Sequence, residues 1–462
     1  MQHSRWPAVS GSLMAYAATL GCVLASPGAG AAAVTVAGFS YVKSLAGIDE
    51  YTLDANGLQV LVKPDHSAPV VTFQVTYRVG SRNEVTGTTG ATHLLEHLMF
   101  KGSQNFNDPQ GNSIKQYLEA VGAGFNATTS FDRTNYFATL GRDHLEGYIA
   151  IEADRMRNLW LHEADRQAEM TVVRNEFERG ENNPESALMK EVRAMVYMAH
   201  PYHHDTIGWR SDIEHVPIEK LRAFYDTFYW PDNATITIVG DVDTAHALAL
   251  VDKYYGKIAR APQPIPVVYT EEPPQAGPRR VILERPGELG NVLIVYKVPA
   301  ARHADLPALE VLGSILSDGK GSRLYPALVD KSLALSTEAG AYRLHDPGMF
   351  IASVALAPGA THEEVEKIVL AEIEKVKTSG VTPAEVGNVV RQYLAAEAYG
   401  RDGTSNVASS INEWIAVGDW TLYARYADAI AKVTPADVQR VAKTYLGHDQ
   451  STTGWFMPVV TK

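Results

Sequence analysis

Three residues of one short segment have the types and spacing of a metal-binding helix. In the segment 90–100, GATHLLEHLMF, His93 and His97 lie four positions apart, which places both imidazoles on one helix face, one turn apart. Two nitrogens so placed can bind one tetrahedral zinc ion. Glu96 lies beside them but is angled away from direct ligation, so its carboxylate can take a proton from water activated by the metal. The H-x-x-E-H pattern therefore predicts zinc-dependent hydrolysis with Glu96 as general base.

A zinc site with two histidines needs a third ligand, and an anionic oxygen ligand would leave the fourth position to water. The segment 166–184, RQAEMTVVRNEFERGENNP, supplies a candidate. Glu169 and Glu176 are seven residues apart, which is two helical turns, so they share one face. If Glu176 binds the metal, Glu169 lies nearby and can accept a hydrogen bond from a ligand histidine. The same spacing equally fits two solvated charges on a surface helix.

The overall composition limits which metal sites and partners are possible. The chain has 462 residues, 45% hydrophobic and 20% charged, which is typical of globular proteins with several domains. Its 41 Lys and Arg against 53 Asp and Glu give a net charge of −12 without a basic block, which argues against nucleic-acid binding. A single cysteine excludes internal disulfides and zinc sites built from several cysteines. Any metal must therefore be held by His and carboxylates.

The first 33 residues have the layout of a secretory signal peptide. Arg5 supplies the positive start, a mostly apolar stretch runs over 9–25, and small residues fill 28–33. The apolar stretch is short and interrupted, so we predict no stable membrane span. A buried N-terminal helix is the alternative, and the surroundings of Cys22 only loosely resemble a lipoprotein cleavage site, so its lipidation stays open. We expect cleavage of residues 1–33 and a periplasmic or secreted mature chain.

A proline-rich segment at 259–278 divides the mature chain into halves 34–258 and 279–462. Each half begins with two predicted strands and ends with a helix, a turn and a strand. Amphipathic helices are predicted between these ends, at 145–160, 187–198, 363–378 and 383–399. We therefore predict an α+β protein with two homologous domains, each a mostly antiparallel β-sheet with helices packed on one face. A chance similarity between generic α+β patterns is the alternative.

The chain resembles the pitrilysin, or inverzincin, peptidase family over nearly the whole mature sequence. The family includes insulysin and the mitochondrial processing peptidase, and this chain is similar to its short, two-domain bacterial branch. The motifs that carry the resemblance occur in family order: HLLEHLMF at 93–100, FNATT at 125–129, TNYF at 134–137, the Glu169 to Glu176 spacing, HPY at 200–202, GW at 208–209, WPDN at 230–233 and GSRLY at 321–325. The resemblance implies that His93, His97 and Glu176 bind zinc and that four such domains enclose a chamber.

The same resemblance assigns roles to residues around the motif. In the family, the segment matching Asn126 and Ala127 pairs with the substrate backbone as an added edge strand. Asn126 could also orient the scissile peptide, or it could be a turn-capping amide. Phe100 is expected to line the pocket after the cleaved bond, although an apolar helix residue can equally belong to the core.

The sequence predicts one zinc ion per chain. The counterpart of the motif in the second half, at 306–313, is apolar and lacks the H-x-x-E-H pattern. His200, His203 and His204 raise the alternative of a second metal site, but their loop resembles a family loop without a metal role.

The second half departs from the family at two positions. The family usually has an Arg and, seven positions on, a Tyr, which bind substrate and stabilise the oxyanion. Val329 stands at the Arg position and, allowing one deleted residue, Leu335 stands at the Tyr position. Lys331 and Tyr325 do not match in position. We therefore predict a heterodimer in which a homologous subunit supplies the Arg and Tyr, with a homodimer as the alternative.

Taken together, the sequence predicts an exported zinc-dependent endopeptidase that hydrolyses peptides or unfolded polypeptides. Two alternatives remain: a non-catalytic subunit of a chamber, and an exported two-domain protein that binds a ligand between its halves. Zinc analysis combined with peptide turnover distinguishes the enzyme from the non-catalytic subunit, and the binding protein predicts ligand binding that survives a chelator without hydrolysis.

Overall fold

Two β-sheets, one formed by each half of the chain, organise the molecule. The computed structural model describes residues 34–459, so the predicted signal peptide at 1–33, with Cys22, lies outside the described residues. The strands are β1 Phe39–Leu45, β2 Ile48–Leu53, β3 Gln59–Pro64, β4 Val70–Tyr77, β5 Gly124–Thr129, β6 Thr134–Gly141, β7 Ala234–Gly240, β8 Arg279–Pro286, β9 Asn291–Val298, β10 Ala334–Ala341, β11 Gly348–Leu356 and β12 Ser451–Val459.

Fourteen α-helices accompany the two sheets within the described residues. They are α1 Ala91–Leu98, α2 Ile114–Ala120, α3 Leu145–Arg157, α4 Glu163–Glu181, α5 Pro184–Val196, α6 Arg210–His215, α7 Ile218–Phe228, α8 Thr244–Tyr255, α9 Leu306–Ser317, α10 His362–Ser379, α11 Pro383–Gly400, α12 Thr404–Ala416, α13 Leu422–Ala431 and α14 Pro435–Tyr445. The helices and strands predicted from the sequence all occur, with ends shifted by a few residues.

Both sheets are mostly antiparallel. The first has the strand order β1-β2-β3-β7-β4-β6-β5, and the second has the order β10-β11-β9-β12-β8. The pairs β3 with β7 and β12 with β8 are parallel. In each sheet the last strand of its half inserts beside earlier strands, which explains why each half ends with a helix, a turn and a strand. The predicted α+β architecture of two sheets packed with helices is confirmed.

Alternating side chains direct one face of each sheet into a helical core. On β4, Val71, Phe73, Val75 and Tyr77 join the apolar core of the first half, where α1, α3, α7 and α8 also contribute. On β9, alternate residues from Val292 to Val298 join the core of the second half, with α9, α10 and α14. These two cores hold the elements that position the candidate site.

The opposite face of each sheet is covered by a helix of the other half. Helix α5 of the first half packs Leu188 and Val192 against Leu293 and Val295 of β9. Helix α12 of the second half packs against β4 and β7 of the first sheet. Each sheet therefore has helices on both faces, which goes beyond the predicted single packed face.

The contacts of α12 with β4 are hydrogen bonds between polar side chains. Thr76 Oγ1 donates to Asn412 Oδ1 at 2.7 Å, and the Thr72 and Thr404 hydroxyls are 2.8 Å apart. Ile48, Leu61 and Val239 of the same sheet face pack into the apolar core of the second half, so this contact is mixed. The contacts of α5 with the second sheet are apolar.

The proline-rich segment forms no helix or strand between α8 and β8, as its prolines predict. The described residues pack together as one compact unit, and the domain limits 34–258, 259–278 and 279–462 stay a prediction. Among the residues that the structure describes, no helix combines the length and apolar character needed to cross a membrane.

Candidate metal centre and active site

Helix α1, which carries the H-x-x-E-H motif, begins at a tightly packed turn. Gly90 precedes it with φ +83°, and a Cβ at this position would lie 2.4 Å from the Ile207 carbonyl oxygen. Only glycine fits there, for reasons of both conformation and space. The carboxylate of Glu84 accepts hydrogen bonds from the Gly90 and Thr92 amides at 2.8 and 2.7 Å. A buried anion at this end matches the positive end of the helix dipole and fixes its first turn.

Helix α4 packs against α1 and brings a carboxylate to the two histidines. The Nε2 atoms of His93 and His97 lie 3.3 Å apart, and each lies 3.6 Å from Glu176 Oε2. Their side chains are 18%, 15% and 36% exposed, so the cluster is shielded but open on one side. Among the described residues, this is the one group of His, Cys, Asp and Glu side chains close enough together to hold a metal ion.

The triangle has the dimensions that tetrahedral zinc requires. Zinc binds imidazole nitrogen and carboxylate oxygen at about 2.0–2.2 Å, which places neighbouring ligand atoms of a tetrahedron about 3.3–3.6 Å apart. The three observed separations agree with this range. Two neutral imidazoles and one carboxylate are also the donor set of catalytic sites that keep a fourth position open. The residues present therefore fit a zinc ion.

Glu169 orients one of the histidines. His97 Nδ1 donates to Glu169 Oε1 at 2.8 Å, which leaves the lone pair on Nε2, the atom that faces His93 and Glu176. Lys101 Nζ lies 2.5 Å from the other Glu169 oxygen. The hydrogen bond from His97, together with Lys101, lowers the pKa of Glu169 to about 2 against the opposing effect of burial. Glu169 is therefore an anion at neutral pH and holds the His97 ring in the ligating orientation.

The two histidines differ in their proton affinity. Burial, with the neighbouring His97, lowers the pKa of His93 to about 4. Burial also acts to lower the pKa of His97, but the hydrogen bond to Glu169 and the nearby carboxylates raise it above its ordinary value. His93 is consequently neutral at pH 7, the form in which imidazole binds metals.

Glu96 lies on the same helix, and the residue is 9% exposed. The Thr129 hydroxyl donates to Glu96 Oε2 at 2.9 Å. Burial raises the pKa of the Glu96 carboxyl, against the opposing effect of that hydrogen bond. A carboxylate with a raised pKa is a stronger base than an exposed one, which suits proton abstraction near neutral pH.

A cavity of about 740 Å³ opens beside Glu96 and His97. Phe100 and Phe125 line it, with their ring centroids 6.3 Å apart. Phe100 is partly buried and packs against the first core, and its role in the pocket after the cleaved bond stays a prediction. The cavity is large enough for one bulky side chain of a peptide.

Asn126 and Ala127 lie in the middle of β5, where they pair with Phe137 and Tyr136 of β6. Asn126 is exposed and Ala127 is buried. Asn126 is therefore a strand residue rather than a turn-capping one. β5 is the edge strand of the first sheet, so its outer backbone groups are available for an added strand.

The histidine cluster at 200–204 serves the protein's own structure. His200 Nε2 lies 3.1 Å from Asp346 Oδ2 of the second half, and His204 Nε2 lies 3.0 Å from Glu84 Oε2. His203 Nδ1 lies 3.1 Å from the His200 carbonyl oxygen. Each ring has a separate partner, so the three do not converge on a second metal site.

In the second half, Val329 ends a short π-helical turn, and Leu335 is the second residue of β10 with 54% of its surface exposed. Neither side chain can donate a hydrogen bond.

Three contributors to the site were not expected from the sequence: Thr129, Lys101 and Glu84. Thr129 belongs to the FNATT motif, but a threonine in a strand gives no signal of its own. Lys101 is four residues beyond His97, a spacing that could have placed it near the same face. Glu84 lies eight residues before Thr92 in a loop, and only the folded turn brings it to the start of the helix.

Comparison with known proteins agrees with this geometry. The family model described as Insulinase (Peptidase family M16) matches residues 59–208, and the model described as Peptidase M16 inactive domain matches residues 215–393. The chain is 32% identical over 408 residues to the zinc protease PqqE of Helicobacter pylori, covering 87% of this chain and 91% of that protein. This chain belongs to peptidase family M16. The predicted resemblance is thereby confirmed, since insulysin-type and mitochondrial processing peptidases fall within the matches.

Other members of family M16 extend the comparison. A probable mitochondrial-processing peptidase subunit beta of Arabidopsis thaliana is 24% identical over 402 residues, covering 85% of this chain and 75% of that protein. The crystal structure of a protease from Helicobacter pylori superposes with a TM-score of 0.85 at 32% identity, covering 90% of this chain and all of that one.

The periplasmic protease PqqL from Escherichia coli shares the fold with a TM-score of 0.73 at 17% identity. The match covers 91% of this chain but 48% of PqqL, so this chain corresponds in extent to about half of PqqL.

Proposed function

We propose that this member of family M16 is the catalytic subunit of an exported zinc endopeptidase, with His93, His97 and Glu176 as zinc ligands and Glu96 as general base. The observation that carries the proposal is the triangle of ligand atoms with sides of 3.3, 3.6 and 3.6 Å beside a buried carboxylate. Relatives named zinc proteases support the choice of metal and of reaction class.

Each residue of the proposed site has a separate role in the reaction. When bound, zinc would lower the pKa of a water molecule and polarise the scissile carbonyl. Glu96 takes the proton from the attacking water and can pass it to the leaving amine, because its buried position holds it beside the ligands. Glu169 keeps His97 in the ligating tautomer. The chain thus supplies the ligands, the base and the ring orientation.

The substrate is proposed to be a peptide or an unfolded polypeptide. An extended backbone added to the open edge of β5 would run past Asn126 and Ala127 toward Glu96, while a bulky side chain enters the cavity lined by Phe100. An extended conformation is available to flexible chains but not to segments held inside a folded domain. Proposed export follows from the signal-like residues 1–33 and agrees with a neighbour described as periplasmic.

A homologous partner subunit is part of the proposal. This chain lacks hydrogen-bond donors at Val329 and Leu335, where the family resemblance places an Arg and a Tyr. A homodimer would leave both donors missing, because its two copies are identical. A heterodimer whose second chain has the donors but lacks H-x-x-E-H would complete the site.

The test measures zinc content and turnover of a quenched peptide library. The variant Glu96→Gln keeps the size of the side chain and removes the proton acceptor, so it should retain zinc while turnover falls at least roughly a hundredfold. Turnover near wild type would reject Glu96 as base. Binding of peptides that survives chelation, without hydrolysis by the wild type or its complexes, would favour the ligand-binding alternative.

A further inference from the structure

The last two residues of β5 connect the proposed base to the second half of the molecule. They point to opposite faces of the strand, as successive strand residues do. Thr129 donates to Glu96 Oε2 at 2.9 Å. Because an ionised carboxylate only accepts hydrogen bonds, the direction of this bond is fixed, and it restricts rotation of the Glu96 side chain. Thr128, on the other face, contacts Arg133.

Arg133 links β5 to helix α12. Its Nη1 donates to the Thr128 carbonyl at 3.2 Å and to Asn135 Oδ1 at 2.9 Å. Its Nη2 and Nε donate to Glu413 Oε1 on α12 at 2.6 and 3.2 Å. The guanidinium is nearly buried, at 10% exposure, so its planar set of donors is held in one orientation. One side chain therefore ties the end of β5 to the second half.

The link matters because β5 is an edge strand. It pairs with β6 on one side and has no neighbouring strand on the other among the described residues. Thr129 is the last residue of β5, and the turn after it is held by the Ser81 and Arg82 amides, which donate to the Ser130 and Phe131 carbonyls, in addition to Arg133. A shift of about 1 Å in a catalytic group can cost on the order of a hundredfold in rate. The position of Thr129 thus has a direct consequence for the base.

We propose that Thr129 is a positioning residue for Glu96, and that the second half of the chain holds Thr129 in place through Glu413 and Arg133. The inference rests on the proposed role of Glu96 as base. It gives the second half a part in the reaction that needs no contact with substrate or metal. Strand β5 would then have two roles: it would receive the peptide backbone, and its last residue, Thr129, would orient the base.

The first test uses Thr129→Val, which preserves shape and removes the hydroxyl. In the zinc-loaded enzyme, or its complex if a partner is required, kcat should fall roughly ten- to a hundredfold while KM and zinc content stay unchanged. Thr129→Ser, which restores the hydroxyl, should recover most of kcat. The matched control is Thr237→Val, since the Thr237 hydroxyl is buried without a hydrogen-bond partner among the described residues; its kcat should equal that of the wild type.

The second test addresses the link to α12. Glu413→Gln weakens the pairing with Arg133 and should lower kcat by a smaller factor, again without loss of zinc. Combined with Thr129→Val it should cause little additional loss, because both changes act through the same hydroxyl. Glu397→Gln is the control, as Glu397 pairs with Arg401 within the second half.

The outcomes separate this inference from the proposed function. If Glu96→Gln leaves turnover unchanged, the proposed function fails. If Glu96→Gln abolishes turnover while Thr129→Val keeps the wild-type kcat, only the positioning role is overturned. Loss of zinc or a changed KM in Thr129→Val, or a lack of recovery in Thr129→Ser, would also overturn it, and fully additive effects of the two changes would overturn the link through Glu413.

Discussion

At the scale of single residues, the proposed zinc ligands can be tested separately from their neighbours. Glu176→Gln replaces an anionic ligand with a neutral amide, so we expect zinc affinity to fall by an order of magnitude or more. Competition with a chromophoric chelator measures the change. Glu178→Gln on the same helix is the control. The Glu178 carboxylate lies 3.6 Å from Arg210 and does not belong to the group formed by His93, His97 and Glu176. Full zinc occupancy in the Glu176 variant would reject the ligand assignment.

Glu169 should affect the metal through His97. In Glu169→Gln the amide oxygen can still accept a hydrogen bond from His97 Nδ1, but it has no negative charge to strengthen that bond. We therefore expect a roughly ten- to hundredfold weaker zinc affinity. The loss should be smaller than that in Glu176→Gln, because no ligand atom is removed. Chelator competition on both variants gives the order directly. An equal or greater loss in Glu169→Gln would contradict the assignment of Glu169 as a group that acts only through His97.

Helical spacing is local, so the sequence could predict which of the proposed ligands share a helix face, whereas the pairing of Glu176 with the two histidines came from the family resemblance. The separations of His93 from His97 and of Glu169 from Glu176 determine which side chains share a helix face before any tertiary contact is known. Thr129 and Glu84 could not be found in this way. Thr129 lies at a strand end and Glu84 in a loop, and both act through tertiary contacts with α1. No periodic pattern in the sequence predicts such contacts.

At the scale of elements, the close contact of α5 with the second sheet gives a stability prediction. A Cβ at Gly454 of β12 would lie 2.3 Å from Val192 Cγ2 and 3.0 Å from Leu188 Cδ1. Gly454→Ala must therefore push α5 away from the sheet, and we expect a loss of about 1–3 kcal/mol in the free energy of unfolding. Denaturant or thermal unfolding measures it.

The matched control for this change is Gly340→Ala on β10 of the same sheet. A Cβ there has no atom within 4 Å, and its φ is not in the left-handed region. This variant should be as stable as the wild type. Equal stability of the two alanine variants would contradict the close packing of α5 on β12.

The elements themselves were largely predictable, but their partners were not. Alternation along β4 and β9 correctly indicates strands with buried residues, and the motif helix follows from its own spacing. Thr72, Gln74 and Thr76 look like the solvent-facing side of β4, yet all three are buried and contact α12. In a single sequence, polar side chains that form hydrogen bonds with a distant helix look the same as polar side chains exposed to water. The packing of each half against the other could therefore not be predicted.

At the scale of the whole molecule, the missing donors predict dependence on a second chain. The purified chain alone should bind zinc but turn over peptides slowly, since a single oxyanion donor is worth roughly a hundred- to a thousandfold in rate. Adding a homologous chain with Arg and Tyr at the positions of Val329 and Leu335 should raise the rate by a factor of that order. The same partner with both residues replaced by Ala is the control. High activity of the isolated chain, unchanged by any partner, would contradict the heterodimer.

The unlike chemistry of the two cross-half contacts has a consequence for the order in which the protein is made. Synthesis runs from the amino terminus, so the first sheet is complete long before α12 exists. The face that α12 later covers includes Thr72, Gln74 and Thr76, which water can solvate in the meantime, beside the apolar Ile48, Leu61 and Val239. The apolar face of the second sheet, which includes Leu293 and Val295, is synthesised after α5, the helix that buries it. A nascent chain of this protein thus exposes a sheet face on which polar side chains interrupt the apolar ones, while the apolar face of the second sheet has its cover in place, which lowers the risk of aggregation before synthesis ends.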